Sequence, residues 1–322
     1  MESLIKTPFG ESHSMRKAYG NALVELGKSY DTMYVLSADV SSSDHSYMFE
    51  EAFPQRFYNV GIAEQALVDV AAGLALDGKI PIANTFAFLL ATRALEQIRT
   101  HVCYSNTNVK LVGAYAGLSD SFDGPTHHAI TDIAIMRSLP NMSVVVPADA
   151  LAVKKLLGEA IRYKGPVYFR LCRNEVPSIF TPAYEPELGK GVLLKEGTDV
   201  MLVSCGVMVS VCLQAVLELQ KQGIQAGLIE MHTIKPFDHD LIHTWANKTG
   251  HIVTVEEHSI IGGLGGAVAE SIAEMGDIKL EMVGINDAFT ECGPYEALLE
   301  KNGLSTSAVI SKVKTFLGLK NP

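Results

Sequence analysis

Short apolar runs alternate with stretches of helical period along the whole chain. The most apolar helical stretch is residues 63–76, AEQALVDVAAGLAL, in which only Glu64, Gln65 and Asp69 break the pattern. A helix apolar nearly all round is expected to be buried on most faces. The five residues before its turn, RFYNV at 56–60, read as a short buried strand, and Gly61 permits the sharp reversal into the helix. The same alternation predicts a helix over 14–30 capped by Ser12 or Ser14, and a parallel strand at 33–37. A strand over 79–88 runs into a loop with two aromatics, and another covers 108–115. Residues 143–149 form a strand and a capped helix start, and that helix runs to about 163, where Gly165-Pro166 ends it. Residues 167–171 are the last strand of this half.

From about 177 to 197 proline, glycine and charge accumulate without periodicity, which marks a boundary. Beyond it strands are expected at 199–204, 226–230, 251–256 and 279–283, with helices between them. The prediction is an α/β chain of two parallel-sheet domains, 1–178 and 197–322, joined by a linker over 179–196. The 322 residues are enough for two cores, and 48% hydrophobic with 19% charged is ordinary for a soluble globular protein. A net charge of −10 argues against nucleic acid or an anionic membrane as partner. Cys103, Cys172, Cys205, Cys212 and Cys292 are odd in number and form no C-x-x-C pair. They read as reduced, mostly buried thiols in the cytosol, and no metal site is indicated. MESLIKTP lacks a signal-peptide core, and no run approaches the ~20 apolar residues of a membrane span, so a cytoplasmic location is expected.

Four stretches carry candidate chemistry. Glu64 opens its helix, where an acid serves the helix dipole or a buried site; a buried charge needs a partner. Residues 38–43, ADVSSS, follow a strand and form either a Ser-rich turn or a site wall. Phe86 and Phe88 are either core or a stacking surface. The loop AGLSDSFDGPTHH at 116–128 places His127 and its neighbour His128 directly after a Gly-Pro turn. Arg173 follows a strand end, where a fork of donors suits phosphate as well as solvent.

RFYNVGIAEQ closely resembles the pyrimidine-domain motif of thiamine-diphosphate enzymes of the transketolase group. Further segments extend the resemblance over almost the whole chain: SAD at 37–39, TFAF at 85–88, DGPTH at 123–127, CRNEVP at 172–177 and the glycines at 262–266. It implies that Glu64 hydrogen-bonds a ring nitrogen of the cofactor's aminopyrimidine and that Phe86, with Phe88, stacks on that ring. Asp39 would help hold the cofactor and the subunit interface. His127 would face the reacting carbonyl as general acid or electrostatic stabiliser, and Asp123 would read a donor hydroxyl. Arg173 would bind a sugar phosphate, with Arg16 and Ser43 beside it. The family's second aromatic aligns with Leu89 rather than Phe88. Arg93 and Arg99 would be structural, and the glycines at 262–266 would serve helix packing, because G-x-G-x-x-G spacing is absent.

The resemblance covers only half of such an enzyme. The family's diphosphate domain carries a Gly-Asp-Gly motif for magnesium, and no such tripeptide occurs here. The chain therefore resembles the C-terminal subunit of a split transketolase. An N-terminal diphosphate-binding subunit would supply the Mg2+ site, in a heterotetramer of two copies of each. The implied activity is transfer of a two-carbon ketol unit from a ketose phosphate to an aldose phosphate. Two departures point to an unusual donor such as apulose 4-phosphate: Tyr115 replaces the family's His before A-G-L, and Ser121-Phe122-Asp123 replaces G-E-D. The alternatives are the β subunit of a 2-oxo acid dehydrogenase decarboxylase, half of a deoxyxylulose-phosphate synthase-like enzyme, and a non-catalytic assembly subunit.

Overall fold

The computed structural model describes residues 4–6 and 9–319; part of the stretch read for a leader and the last three residues lie outside it. A seven-stranded sheet runs Thr233–Lys235, Ser143–Val145, Val167–Leu171, Lys110–Ala114, Ile80–Phe86, Met33–Ser37, Phe57–Asn59. All its neighbours are parallel except the antiparallel first pair. A five-stranded sheet follows the order Lys279–Ile285, His251–Ser259, Val200–Ser204, Ala226–Glu230, Val192–Lys195, with only the last strand antiparallel. Ser12–Ser14 pairs antiparallel with Glu175–Pro177, so Val167–Leu171 is not the last strand of its half.

Consecutive strand residues face opposite ways, and both faces of the large sheet are covered. Val35, Ile82, Val112, Val145 and Phe169 enter one buried cluster. Their neighbours Leu36, Ala83, Leu111, Val144 and Tyr168 enter the other. Each cluster continues into the second sheet, through Val200 and Leu202 on one side and Met201 and Val203 on the other. Helix Met15–Ser29 is capped by Ser14, whose hydroxyl accepts from the Lys17 amide, rather than by Ser12. Asp149 caps Ala150–Arg162 by accepting from the Ala152 amide at 2.8 Å.

Two burial expectations fail. Phe57–Asn59 is the edge strand of its sheet, and Tyr58 and Asn59 are exposed. The helix Glu64–Leu76 buries one face only, through Glu64, Leu67, Val68, Ala71 and Ala72. Val70 and Leu76 lie exposed on its other side, and Ile62 is exposed just before it. A single chain offers one sheet for this helix to pack on, so its second apolar face has no partner within the chain.

The two sheets are joined by polar contacts as well as apolar ones. Arg170 and Asp132, both buried, form an ion pair at 2.8 Å, and Tyr168 donates to the same carboxylate at 2.7 Å. Arg170 Nη2 also donates to the Glu257 carbonyl at 3.0 Å, across to the second sheet. The glycines at 262–266 open the helix Leu264–Ile272, whose Leu264 and Gly265 amides donate to the buried Glu256 carboxylate at 2.7 and 2.8 Å.

Candidate active site

The candidate residues leave the large sheet at one edge. Strand register sets Ser37 beside Asn59 and Asn84, Phe86 beside Ala114, and Ala114 beside Leu171. The carboxyl ends of five parallel strands are thus level, and Asp39, Glu64, Phe86, Tyr115 and Arg173 follow within a few residues. That edge is where open α/β sheets bind ligands.

On one side of this edge lie Asp39, Asn59 and Glu64. Asp39 is exposed and has a φ of 62°, a left-handed conformation that aspartate tolerates better than most residues. Asn59 holds it there: its Nδ2 donates to Asp39 Oδ1 at 2.9 Å, and its Oδ1 accepts from the Asp39 amide at 3.1 Å. The same oxygen accepts from the Gly61 amide at 3.0 Å, so one side chain ties two loops together. Glu64 is 1% exposed, and its Oε2 accepts from Arg93 Nη1 at 2.9 Å. Arg93, expected to be structural, is the partner this buried carboxylate requires.

Phe86 ends its strand, and its ring lies 4.8 Å from that of Tyr115. Phe88 sits instead in the following helix, Ala87–Arg93, against a small cluster of Ala87, Ala116 and Ala129.

Tyr115 organises the other side. It has a φ of 60° and is buried. A bulky residue in this conformation marks a position that its surroundings hold in place. The guanidinium carbons of Arg16 and Arg173 lie 5.3 and 4.9 Å from its ring centroid. Arg16 donates to the Tyr115 hydroxyl at 3.1 Å, the Ser43 carbonyl at 2.6 Å and the Arg173 carbonyl at 2.9 Å. Arg16, Ser43 and Arg173 are therefore brought together around Tyr115, which the sequence marks only as a departure from the family's His. Ser43 takes part through its backbone carbonyl, within the single helical turn Ser41–Asp44.

Asp120 was not foreseen. Its Oδ1 lies 3.2 Å from Arg173 Nη1, and the Arg173 amide donates to Ser119 Oγ at 3.2 Å. Burial, reinforced by Asp123, pushes the Asp120 carboxyl up to about 6 against the pull of Arg173 and His127. A loop acid three residues before Asp123 is ordinarily solvated, so only its burial reveals it. Asp123 and Phe122 are exposed, and His127 is partly buried with Nδ1 3.0 Å from Thr126 Oγ1.

The second domain holds this loop from behind. Glu257 Oε1 accepts from the Leu118 amide at 2.8 Å, and a Cβ at Gly117 would overlap its carboxylate. Burial pushes Glu257 up to about 7. The Gly293 amide donates to the Ser121 carbonyl at 3.0 Å, Cys292 packs on Gly124, and the buried His128 pairs with Thr290. His128 thus has a structural partner in the second domain.

A heteroaromatic ring with a basic nitrogen fits the first group of residues: Glu64 offers a buried carboxylate and Phe86 a flat apolar face. A phosphate fits the two guanidinium groups of the second. Among the described residues no group of three or more His, Cys, Asp or Glu side chains is arranged to hold a metal ion.

Known proteins share both halves. Residues 11–178 match the family described as transketolase, pyrimidine binding domain, and residues 189–309 match transketolase, C-terminal domain. A Methanocaldococcus jannaschii protein provisionally named a transketolase C-terminal section is 43% identical, over 94% of this chain and 96% of its own. The 6-deoxy-6-sulfo-D-fructose transketolase subunit of a Clostridium strain is 37% identical, over 97% of each chain. An apulose-4-phosphate transketolase subunit of Phocaeicola vulgatus is 35% identical, over 94% of this chain and 97% of its own. A solved split-gene transketolase, described as an inactive β4 tetramer, superposes with a TM-score of 0.87 at 46% identity, over 97% of this chain and all of that one. Both domains in one chain, and relatives matched along nearly their full length, show that the chain belongs to the transketolase family.

Proposed function

We propose that the chain is the C-terminal subunit of a two-chain, thiamine-diphosphate-dependent transketolase. It moves a two-carbon ketol unit from a ketose phosphate to an aldose phosphate. The observation that carries the reading is the buried Glu64, opening its helix at the same sheet edge as the Arg16–Tyr115–Arg173 cluster. Full-length similarity to proteins named as transketolase sections and subunits supports it.

When bound, the cofactor supplies the nucleophilic carbon that carries the ketol unit. Glu64 would hydrogen-bond a ring nitrogen of the aminopyrimidine, and Phe86, with Phe88, would stack on that ring. Asp39, clamped by Asn59, borders the cofactor and the subunit interface. His127 donates a hydrogen bond to the substrate oxygen on which charge develops, as general acid or stabiliser. Asp123 reads a donor hydroxyl. Arg173 and Arg16, with Ser43, hold the phosphate end and so orient the reacting carbon.

An N-terminal subunit supplies the diphosphate and Mg2+ site, in a cytoplasmic heterotetramer of two copies of each chain. The exposed apolar face at Ile62, Val70 and Leu76 supports burial against another subunit. So does the solved split-gene relative, an assembly of β chains alone that is described as inactive. Among the described residues no helix is long and apolar enough to cross a membrane. Residues 1–178 serve as the pyrimidine-binding domain and 197–322 as the C-terminal domain; the stretch 179–196, expected as a linker, is one only in its first part, because Val192–Lys195 is the edge strand of the second sheet. The donor is a non-standard ketose phosphate such as apulose 4-phosphate, which Tyr115 and Phe122 favour; relatives of similar identity are named for two different donors.

The test is ketol transfer by this chain, alone and mixed with a diphosphate-domain chain, with thiamine diphosphate and magnesium over a panel of ketose phosphates. Activity is expected only in the mixture. A mixture that neither binds the cofactor nor transfers ketol units overturns the reading.

A further inference from the structure

We infer that Asp120 sets the specificity of the substrate site: its carboxylate competes with the substrate's anionic end for Arg173, so anion binding takes up a proton at Asp120. The inference rests on the proposed role of Arg173 as the anion ligand.

The geometry carries it. Asp120 is 1% exposed, with one oxygen 3.2 Å from Arg173 Nη1 and the other, Oδ2, without a donor among the described residues, only the Asp123 carboxyl beside the group. A buried carboxylate left half-satisfied is costly, and an ionised one is tolerated only beside a cation. Arg16 is already committed to three oxygens, whereas Arg173 makes one side-chain hydrogen bond among the described residues and remains 36% exposed. Arg173 is thus the cation of this cluster with more donors to spare, and Asp120 already occupies one of them.

Charge decides the consequence. With Asp120 ionised, its carboxylate offsets the Arg173 guanidinium, and an arriving dianion meets correspondingly less positive charge. Protonating Asp120 frees Arg173 and leaves the cluster positive. The groups facing Asp120 are Asp123 and His127 on its own loop and Arg173 on the segment after strand Val167–Leu171. Among the described residues the second domain adds to this loop the Glu257 carboxylate on the Leu118 amide, the Gly293 amide on Ser121, Cys292 against Gly124, and Thr290 on His128. Burial and Asp123 already hold the Asp120 proton up to about 6, so the exchange falls near neutral pH.

Sulfate is the probe, because it stays a dianion between pH 5 and 8, and the chain alone can be titrated with it calorimetrically. The wild-type Kd is expected to rise roughly 100-fold from pH 5 to pH 8, about tenfold per pH unit above 6, as one fully coupled proton requires. Asp120→Asn should bind sulfate tightly at both pH values, and Asp120→Ser gives the same readout with a smaller side chain. In the two-chain complex at pH 8, Asp120→Asn should lower KM for a ketose phosphate and leave KM for the unphosphorylated ketose unchanged. Sulfate binding that is pH-independent in the wild type, or weaker in both variants, overturns the inference and leaves Asp120 as a support for Arg173. A wild-type complex inactive on every ketose phosphate instead overturns the transketolase reading, and the sulfate result still stands on its own.

Discussion

Arg93 meets the Glu64 carboxylate at 2.9 Å across a sequence separation of 29 residues. Glu64 is buried, whereas the Arg93 side chain is about half exposed. The two ends of this pair therefore respond differently to substitution. Glu64→Gln leaves Arg93 free to meet water and should hardly change the melting temperature, yet ketol transfer in the two-chain complex should fall at least ~100-fold. Arg93→Met strands the buried carboxylate and should cost about 1–3 kcal/mol in urea unfolding. Retained activity in Glu64→Gln would remove Glu64 from the chemistry.

Asp132 and Arg170 pair with neither group exposed, and Arg170 also reaches the Glu257 carbonyl. Burial alone would raise the Asp132 pKa, but Arg170, His258 and the hydrogen bonds from Arg170 and Tyr168 hold it below the ordinary carboxylate value. Asp132→Asn should destabilise the chain by roughly 3–5 kcal/mol, because a buried guanidinium loses its counter-charge. Equilibrium urea denaturation measures this, and a loss under about 1 kcal/mol would contradict it.

Glu257 bears on pH. Its pKa is raised to about 7, chiefly by burial, so the folded chain holds a proton that the unfolded chain releases above its ordinary value near 4.5. Stability should therefore decline as pH rises from 4.5 to 7, by up to about 1.4 kcal/mol per pH unit from this group. Glu257→Gln should remove that slope. Unfolding curves of both proteins at pH 5 and 7.5 give the comparison, and parallel behaviour would show that Glu257 does not titrate as stated.

Gly124 has a φ of 78°, and a Cβ there would collide with the Cys292 sulfur. Gly124→Ala should displace the loop that carries Asp123 and His127. The expected result is a kcat at least ~10-fold lower in the complex, since small misplacements of reacting groups are costly, with a modest change in melting temperature. Cys292→Ala removes the colliding sulfur and should restore part of the lost rate in the double variant; no recovery would mean that the backbone strain alone is responsible.

Much of this protein is written in local sequence. Alternating apolar runs and helical periods specify the α/β class, because a strand's two-residue period and a helix's 3.6-residue period are properties of a few neighbouring residues. Asp149 as a cap and the strand Ala226–Glu230 were legible for the same reason. So were the segments that carry Glu64, Asp123, His127 and Arg173, since each is contiguous. What tertiary structure decided is which of these meet and which are covered. Arg16 reaches Tyr115 over 99 residues and Arg173 over 157, and Asp120 reaches Arg173 over 53. Nothing in the composition of a loop says that one of its acids will be buried beside a guanidinium. The helix Glu64–Leu76 makes the same point in reverse: its apolar sequence predicts burial all round, but burial depends on how many surfaces surround it, and one chain provides only one. Local propensity is set by short-range sterics, whereas charge pairing and exposure follow from the packing of distant segments, which the order of residues encodes only through the whole fold.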